Sequence, residues 1–377
     1  MSKLLSRRTE KPDYAGRLAD LRKRLPKWRA DALLLTNARD IRYLTGFVGD
    51  DSWAVVLAGA AGGGKVIILS DSRFDEEIDQ TAPQAKKMIR DTKTSLIEAL
   101  DKALLPLNVR YLAVQEQYVT LHTKRVMEEK IKGLTLVPVD DGLLNQRAVK
   151  ESIELTCIRK AIAIQQQAFT RTMAFIKPGM TELEITAKLE FEMMSLGAEG
   201  PAFQSIVGAD ANASLPHYRP GLAKVKQGGI LLVDWGAKVN GYHSDMTRTV
   251  ALGKWPAKIK EIYPVVQDAQ QAAIEKIKPG AVLKEVDSAA RDLIKKAGFE
   301  KYFQHGLGHG IGLQIHESPR IGITSEGELQ PGHIVTVEPG IYLPGVGGVR
   351  LEDDVLVTEK GREMLCDLPK GLENAII

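Results

Sequence analysis

Four carboxylates in the second half of this sequence stand in two copies of one arrangement. Asp234 closes an apolar stretch, and Asp245 follows eleven residues later on a returning stretch. Glu338 and Glu352 occupy the corresponding places in the second copy. An apolar stretch, a turn and a returning stretch predict a β-hairpin, so each hairpin is expected to present two carboxylates.

Burying four carboxylates close together costs a large electrostatic free energy unless positive charge compensates it. A pair of divalent cations supplies that charge, and oxygen-rich sites with one imidazole suit manganese, cobalt, iron or zinc. In two-metal sites, bridging carboxylates hold the ions about 3.5–4 Å apart around a shared hydroxide. One such acid alone is more typical of a cap or a turn, but the paired arrangement predicts a two-metal centre.

A histidine- and glycine-rich stretch lies between the two predicted hairpins. It contains His305, His309 and His316 together with four glycines in thirteen residues. Because glycine lets the backbone approach a ligand closely, the stretch favours the wall of a site over a core strand. It is therefore expected to supply the imidazole ligand.

The other four histidines are interpreted from their surroundings. His217 lies in a loop before the first carboxylate strand, where it fits a turn residue as well as a site residue. His243 and His333 fall within predicted strands of the two hairpins, and His122 lies in the first half of the chain. These last three are expected to be structural.

The elements that position these residues fall into two parts. The first part alternates apolar stretches with stretches of helical spacing, which is typical of a small α/β domain. Its strands are predicted at 32–35, 53–57, 66–69 and 111–114, with a helix over 94–104. A long amphipathic helix begins at Lys150. We therefore predict an N-terminal domain over residues 1–145 and a second domain over 150–370.

The second domain contains an internal repeat. Residues 176–179, Ile-Lys-Pro-Gly, recur as residues 277–280, 101 positions later. Each copy predicts a helix that ends before Pro-Gly and a second helix that ends at a glycine, Gly197 or Gly298. Together with the repeated hairpins, this indicates two half-domains related by a pseudo-twofold axis. The predicted fold class is α+β.

At these residues the chain resembles the pita-bread metallopeptidase family (M24). The motifs are Asp234 and Asp245 eleven apart, Gly308-His309, Glu338-Pro339-Gly340 and Arg350-Leu351-Glu352-Asp353. The segment 37–47, with Asp40-Ile41-Arg42-Tyr43-Leu44-Thr45-Gly46-Phe47, resembles the creatinase-type domain of the proline-specific branch. That branch contains Xaa-Pro aminopeptidase (aminopeptidase P) and Xaa-Pro dipeptidase (prolidase). The resemblance covers nearly the whole chain and implies a creatinase-like α/β domain followed by a pita-bread domain.

The resemblance also implies a set of five metal ligands. Asp234 would bind one ion, and His309 and Glu338 the other. Asp245 and Glu352 would bridge both ions. Glu338 would also carry the proton from the attacking water to the leaving proline nitrogen.

Five further residues match positions around the metals in the proline-specific branch. His217, His305 and His316 match its histidines behind the ligands and facing the substrate. His217 and His316 would donate hydrogen bonds to the substrate carbonyl as it becomes an oxyanion. Tyr342 and Arg350 match residues that hydrogen-bond around the ligand carboxylates.

The implied activity is that of an exopeptidase dependent on two divalent metal ions. It would hydrolyse the Xaa-Pro bond at the amino terminus of peptides or in dipeptides, and the sequence leaves aminopeptidase and dipeptidase open. Manganese is the expected ion, with cobalt, zinc and iron as alternatives. A lyase or another carbon–nitrogen hydrolase on the same site is the alternative function, because related chains include dimethylsulfoniopropionate lyases.

Composition narrows the partners and the location. The 377 residues are 44% hydrophobic and 26% charged with a net charge of +3, which favours neither nucleic acid nor an anionic membrane. No apolar stretch approaches the roughly 18 residues of a spanning helix, and the first eight residues lack a signal-peptide core. We expect a cytoplasmic homodimer that acts on peptides with proline in the second position.

Overall fold

The fold is described from a computed structural model that covers residues 12–59, 65–140 and 142–377. The predicted start of the first domain at residue 1 lies outside the described residues, as do the first eight residues. The chain divides into two compact units, one ending at Gln146 and the other beginning at Arg147. The predicted boundary falls between residues 145 and 150.

The N-terminal unit is built on one six-stranded sheet. Its strands are β1 (Ala32–Leu35), β2 (Trp53–Leu57), β3 (Val66–Asp71), β4 (Lys86–Arg90), β5 (Tyr111–Gln115) and β6 (Thr135–Val139). Its helices are α1 (Tyr14–Arg22), α2 (Ala38–Thr45), α3 (Asp75–Thr81), α4 (Leu96–Leu104), α5 (Leu121–Lys130) and α6 (Gly142–Ala148), which ends beyond the boundary. The strand order is β4-β3-β2-β1-β5-β6. The strands predicted from apolar stretches all form, because their side chains fill the core of this unit.

The C-terminal unit contains two helix pairs that repeat along the chain. They are α7 (Ser152–Met173) with α8 (Glu182–Ser195), and α9 (Ala257–Lys276) with α10 (Leu283–Lys296). The turns within the pairs pass through Gly179 at φ 95° and Gly280 at φ 75°, a backbone region that favours glycine. Since α8 and α10 begin and end 101 residues apart, the helical part of the predicted repeat is confirmed. None of the described helices is both long and apolar enough to cross a membrane.

The strands of the C-terminal unit repeat in the same way. The first copy holds β7 (Gly200–Pro201), β8 (Ile206–Ala209), β9 (Ile230–Trp235), β10 (Ala237–Val239), β11 (Tyr242–His243) and β12 (Met246–Ala251). The second holds β13 (Gly308–Gly310), β14 (Glu317–Ile321), β15 (Ile334–Val337), β16 (Gly340–Leu343), β17 (Gly347–Arg350), β18 (Asp353–Thr358) and β19 (Gly361–Met364). β9 lies between β8 and β12, as β15 lies between β13 and β18. The pseudo-twofold α+β fold is thus confirmed.

Three local predictions were wrong. Asp245 and Glu352 lie at breaks between two strands, β11 and β12 or β17 and β18, and not within a returning strand. Within the glycine-rich stretch, which was not expected to hold a core strand, Gly308–Gly310 form β13. A Cβ at Gly308 would meet the Thr336 carbonyl oxygen at 2.0 Å, so only glycine lets the two backbones approach. His333 lies in the turn before β15.

Candidate metal centre

One pocket of about 530 Å³ in the C-terminal unit is lined by all five predicted ligands. Asp234 comes from β9, where it pairs with Thr247 of β12, and His309 comes from β13. Asp245 and Glu352 reach the pocket from the strand breaks, and Glu338 follows β15. At each of these breaks the chain passes from a strand of one sheet to a strand of another, so the residue is not bound by the alternation of a single strand. The two copies of the repeat therefore contribute to one site.

The donor atoms of this cluster lie close enough to share a cation. One ligand atom each of Asp245, His309 and Glu352 lies within 4.8 Å of the others, and all three residues are buried. His309 Nε2 is 3.4 Å from Glu338 Oε1 and 3.7 Å from Asp245 Oδ2. The other ring nitrogen, Nδ1, lies 3.1 Å from the Gly310 carbonyl oxygen and donates its hydrogen there. The lone pair of Nε2 therefore faces carboxylate oxygens.

This arrangement fits a metal ion. A lone pair facing carboxylate oxygens in a buried site is repulsive unless a cation lies between them. Among the described residues, the buried Oδ1 atoms of Asp234 and Asp245 have no hydrogen-bond partner. Unpaired buried carboxylate oxygens beside a neutral imidazole form the oxygen-rich donor set of a divalent transition metal. The residues present thus fit the ion that the sequence predicts.

Burial raises the pKa of all four ligand carboxylates. Burial, followed by repulsion from neighbouring carboxylates, raises the pKa of Asp245 and of Glu352 well above the ordinary values. Burial raises the pKa of Glu338 to about 8, although Arg350 opposes the shift. Burial, followed by the charge of His316, lowers the pKa of His309 to about 3, so the imidazole stays neutral as a ligand requires.

Arg350 links the ligands to residues behind them. Its Nη2 donates to Asp234 Oδ2 at 2.5 Å, and its Nε donates to Thr247 Oγ1 at 2.9 Å. Thr247 in turn donates to Glu352 Oε2 at 2.6 Å. The Arg350 Nη1 donates to the Tyr342 hydroxyl at 2.9 Å. One buried guanidinium thus orients one carboxylate from each copy of the repeat.

The Tyr342 hydroxyl continues this network to His305. It lies 2.9 Å from His305 Nε2, while His305 Nδ1 lies 2.8 Å from the Gly306 carbonyl oxygen. Burial lowers the pKa of His305 to about 4 and raises that of Tyr342 to about 12, so both groups are neutral near pH 7. The geometry therefore assigns the proton to Nδ1 and lets the phenol donate to Nε2. His305 is held in one tautomer at the pocket wall.

We expect metal ions to stabilise the fold more at high pH than at low pH. The ligand carboxyls with raised pKa bind more protons in the native state than in the unfolded state, so the metal-free protein loses stability as pH rises from about 4 to about 8. A divalent ion replaces those protons. The metal-induced rise in Tm should therefore be larger at about pH 8 than at about pH 6.

Thermal unfolding with manganese and with chelator, in matched buffers across this range, measures the difference directly. Subtracting the Tm with chelator from the Tm with manganese at each pH cancels the contribution of groups that titrate outside the site. A metal-induced shift in Tm that stays constant or shrinks with rising pH would contradict the expectation.

The other predicted site residues line the same pocket or contact a residue that lines it. His217, His305, His316 and Arg350 line the pocket, and Tyr342 lies behind His305. Three histidines were expected to be structural. Of these, His243 contacts the Gly312 carbonyl oxygen at 2.8 Å, and His333 accepts from the Gln330 N–H at 3.2 Å. His122 is exposed beside Arg125.

Sequence reasoning missed two exposed arginines that line the same pocket. Arg219 follows His217 by two residues, and Arg320 lies on β14 directly opposite His309 on β13. The position of Arg320 depends on the register between those two strands, for which the sequence carries no signal. Thr247, which hydrogen-bonds Glu352 and Arg350, was missed for the same reason.

The fold and the site together define a two-domain protein whose duplicated C-terminal domain carries a carboxylate-rich cluster able to hold metal ions. Comparison with known families matches residues 156–359 to Metallopeptidase family M24 and residues 17–149 to the Creatinase/Prolidase N-terminal domain. The chain belongs to metallopeptidase family M24 and is a metallopeptidase with the pita-bread fold. The family expected from the sequence is confirmed.

Individual relatives extend over nearly the whole chain. An Xaa-Pro dipeptidase of Pyrococcus horikoshii is 34% identical over 91% of this chain and 94% of its own length. The structure of an Xaa-Pro dipeptidase from Bacillus anthracis matches with a TM-score of 0.92 and 33% identity, covering 97% of this chain and 100% of that one. An X-Pro aminopeptidase from Thermotoga maritima matches with a TM-score of 0.86 and 33% identity, over 95% and 100%.

Proposed function

We propose that the protein is an Xaa-Pro dipeptidase that uses two divalent metal ions. The observation that carries this proposal is the presence of Arg219 and Arg320, both exposed, in the pocket that holds the five ligands. In a dipeptide, the free carboxylate lies one residue beyond the scissile bond. A guanidinium binds such a carboxylate through two parallel hydrogen bonds, which a longer peptide does not offer at that position.

Arg320 is the better placed of the two arginines. It pairs with His309 across the β13 and β14 strands, beside the ligand itself. Its charge also contributes, after burial, to lowering the pKa of His316. A carboxylate bound at Arg320 would therefore lie on the side of the pocket next to His309. The tertiary amide of proline has no N–H, so the pocket cannot recognise proline through a hydrogen bond from that group. The shape of the pocket wall would select proline instead.

The proposed mechanism divides the work between the ions and the chain. Ions held by the five ligands would supply Lewis acidity, which lowers the pKa of an attacking water and polarises the scissile carbonyl. Glu338 accepts the proton of that water at a carboxylate oxygen and returns it to the leaving proline nitrogen. His217 and His316 donate hydrogen bonds to the carbonyl oxygen as it gains negative charge. Arg320 holds the carboxylate end.

The relatives include both an aminopeptidase and dipeptidases. The Pyrococcus horikoshii and Bacillus anthracis proteins are named Xaa-Pro dipeptidases, whereas the Thermotoga maritima structure is named an X-Pro aminopeptidase. The pocket arginines favour the dipeptidase. Manganese as the ion, a homodimer and a cytoplasmic location stay predictions.

Replacing Arg320 with Met is expected to raise KM for an Xaa-Pro dipeptide by about 10- to 100-fold, because one charge-assisted hydrogen-bonding pair is lost. KM for an Xaa-Pro-Xaa tripeptide should change little. The measurement is a hydrolysis panel of Ala-Pro against Ala-Pro-Ala, with metal-free enzyme supplied with manganese, cobalt or zinc. Arg362→Met, which removes an arginine from β19, serves as the control.

Each alternative has its own outcome in this panel. A wild type that hydrolyses the tripeptide as well as the dipeptide is an aminopeptidase. An enzyme that leaves every Xaa-Pro peptide intact with all three ions favours the lyase or other carbon–nitrogen hydrolase. Equal effects of Arg320→Met on both substrates would remove Arg320 from carboxylate binding.

A further inference from the structure

Glu182 is a fully buried carboxylate at the start of α8, and it accepts four hydrogen bonds. Its Oε1 accepts from the Ala209 N–H at 2.7 Å and from Asn212 Nδ2 at 2.9 Å. Its Oε2 accepts from the Tyr218 hydroxyl at 2.9 Å and from the Gly221 N–H at 3.0 Å. Four bonds use the full acceptor capacity of a carboxylate.

All four donors belong to one segment of the chain, residues 209–221. This segment forms part of the pocket wall and carries His217 and Arg219. Apart from a short 3₁₀ turn over Asp210–Ser214, the segment has no regular secondary structure to hold it in place after β8. The bonds to Glu182 therefore anchor the segment at its start, at its end and beside His217.

The local structure does not need Glu182 for its own folding. The N-terminus of α8 is already capped by Thr181 and Glu184, which exchange bonds at 3.2 and 2.7 Å. In the second copy of the repeat, α10 begins with Leu283 at the position equivalent to Glu182. A buried carboxylate is thus not needed to start such a helix. The free-energy cost of burying Glu182 is compensated by its four hydrogen bonds to residues 209–221.

Tyr218 joins the anchor to the pocket. Its hydroxyl donates to Glu182 and accepts from Asn212 Nδ2 at 2.8 Å, and its side chain lines the pocket beside His217. Burial and the neighbouring Glu182 raise the pKa of Tyr218 to about 12, so it stays a neutral donor near pH 7. On the other side of His217, the Pro216 carbonyl oxygen accepts from Arg350 Nη1 at 3.3 Å. His217 is thus held between the anchor and the metal centre.

We propose that Glu182 is a positioning residue that holds His217 at the reacting carbonyl through the segment 209–221. The inference deepens the proposed function, and it rests on that function for the role of His217. The physical reason is that a displacement of a catalytic group by about 1 Å can cost a factor of about 100 in rate. Four bonds to one buried carboxylate hold the segment within that tolerance.

The test is a double-mutant cycle between Glu182→Gln and His217→Ala. The glutamine keeps the shape of the side chain but replaces one acceptor oxygen with a donor, so two of the four loop donors lose their partner. We expect Glu182→Gln to lower kcat on Ala-Pro about 30-fold with a change in KM below about threefold. In the His217→Ala background, the same substitution should cost less than about threefold, because the residue it positions is gone.

A matched control and a milder variant protect the test against loss of folding. Glu192→Gln changes another buried glutamate of α8, whose ion pairs are with Arg171 and Lys188. It should leave kcat within about twofold. Asn212→Ala removes one donor and leaves the carboxylate in place. It should lower kcat by about three- to fivefold, again only when His217 is present.

Hydrogen exchange gives a readout that needs no substrate. Glu182→Gln should speed exchange of the amides of residues 209–221, while the amides of α8 and β9 keep their protection. An equal loss of kcat in both backgrounds, or unchanged exchange in this segment, would overturn the proposal. If the wild type hydrolyses no Xaa-Pro peptide, the proposed function fails. The exchange measurement then decides alone whether Glu182 positions the segment.

Discussion

Asp245→Asn is expected to abolish metal binding and lower kcat/KM by at least about 1,000-fold, while leaving the metal-free fold at least as stable as the wild type. Asp245 is buried among three other ligand carboxylates, and its Oδ1 has no hydrogen-bond partner among the described residues. Replacing its carboxyl with a neutral amide therefore removes a group whose ionised form is buried and repelled by its neighbours in the metal-free protein. The same loss removes a ligand that is predicted to bridge both ions.

Metal analysis after gel filtration and thermal unfolding with and without manganese measure both parts of this expectation. The rise in Tm that manganese causes in the wild type should disappear in the variant. Asp292→Asn, which changes an exposed aspartate of α10, is the control and should behave as the wild type. A variant that keeps its metal and its activity after chelation would show that Asp245 is no ligand.

Glu317→Ala is expected to destabilise the protein by about 3–5 kcal/mol, because it removes the carboxylate that neutralises two buried cations. Glu317 contacts Arg147 Nη2 through Oε1, and its Oε2 lies 3.3 Å from Lys150 Nζ. All three side chains are about 1% exposed. Glu317 Oε1 also accepts from the Gln314 N–H at 2.9 Å, so the ion pairs hold the loop that ends in His316.

The contribution of Glu317 should also depend on pH in a defined direction. Burial alone would raise its pKa, but Lys150 and Arg147 outweigh burial and bring the pKa below the ordinary value. A depressed pKa in the folded state stabilises the fold above the ordinary glutamate pKa of about 4.3, and this stability is lost as pH falls through the folded value. The difference in unfolding free energy between wild type and Glu317→Ala should therefore shrink in acid.

Denaturant unfolding at neutral and acidic pH tests this expectation. The control is Glu363→Ala, which removes a glutamate whose ion pair with Arg159 is about 44% exposed. A surface pair of this kind contributes at most about 1 kcal/mol. If Glu317→Ala costs no more than Glu363→Ala, the buried cluster is not the support of the loop that carries His316.

Local patterns in the sequence determined much of this protein. The apolar periods of strands and helices, the Pro-Gly turns and the glycines that end helices predicted the duplicated half-domains. Each of these signals depends only on residues a few positions apart in the sequence. The two carboxylate pairs and the His309 motif predicted a metal centre, because their repeated spacing can be read from the sequence without knowing how the chain packs. The family followed from the same motifs.

Only the tertiary structure decided which side chains support and complete that centre. Thr247 and Glu352 are 105 residues apart, and Arg147 and Glu317 are 170 apart, yet each pair is joined by a hydrogen bond. Arg320 lies at the pocket because of the register between β13 and β14. Glu182 of α8 accepts its four hydrogen bonds from the separate segment 209–221. Buried polar groups must find partners wherever packing places them, and that placement is a property of the folded chain and not of any short stretch of sequence.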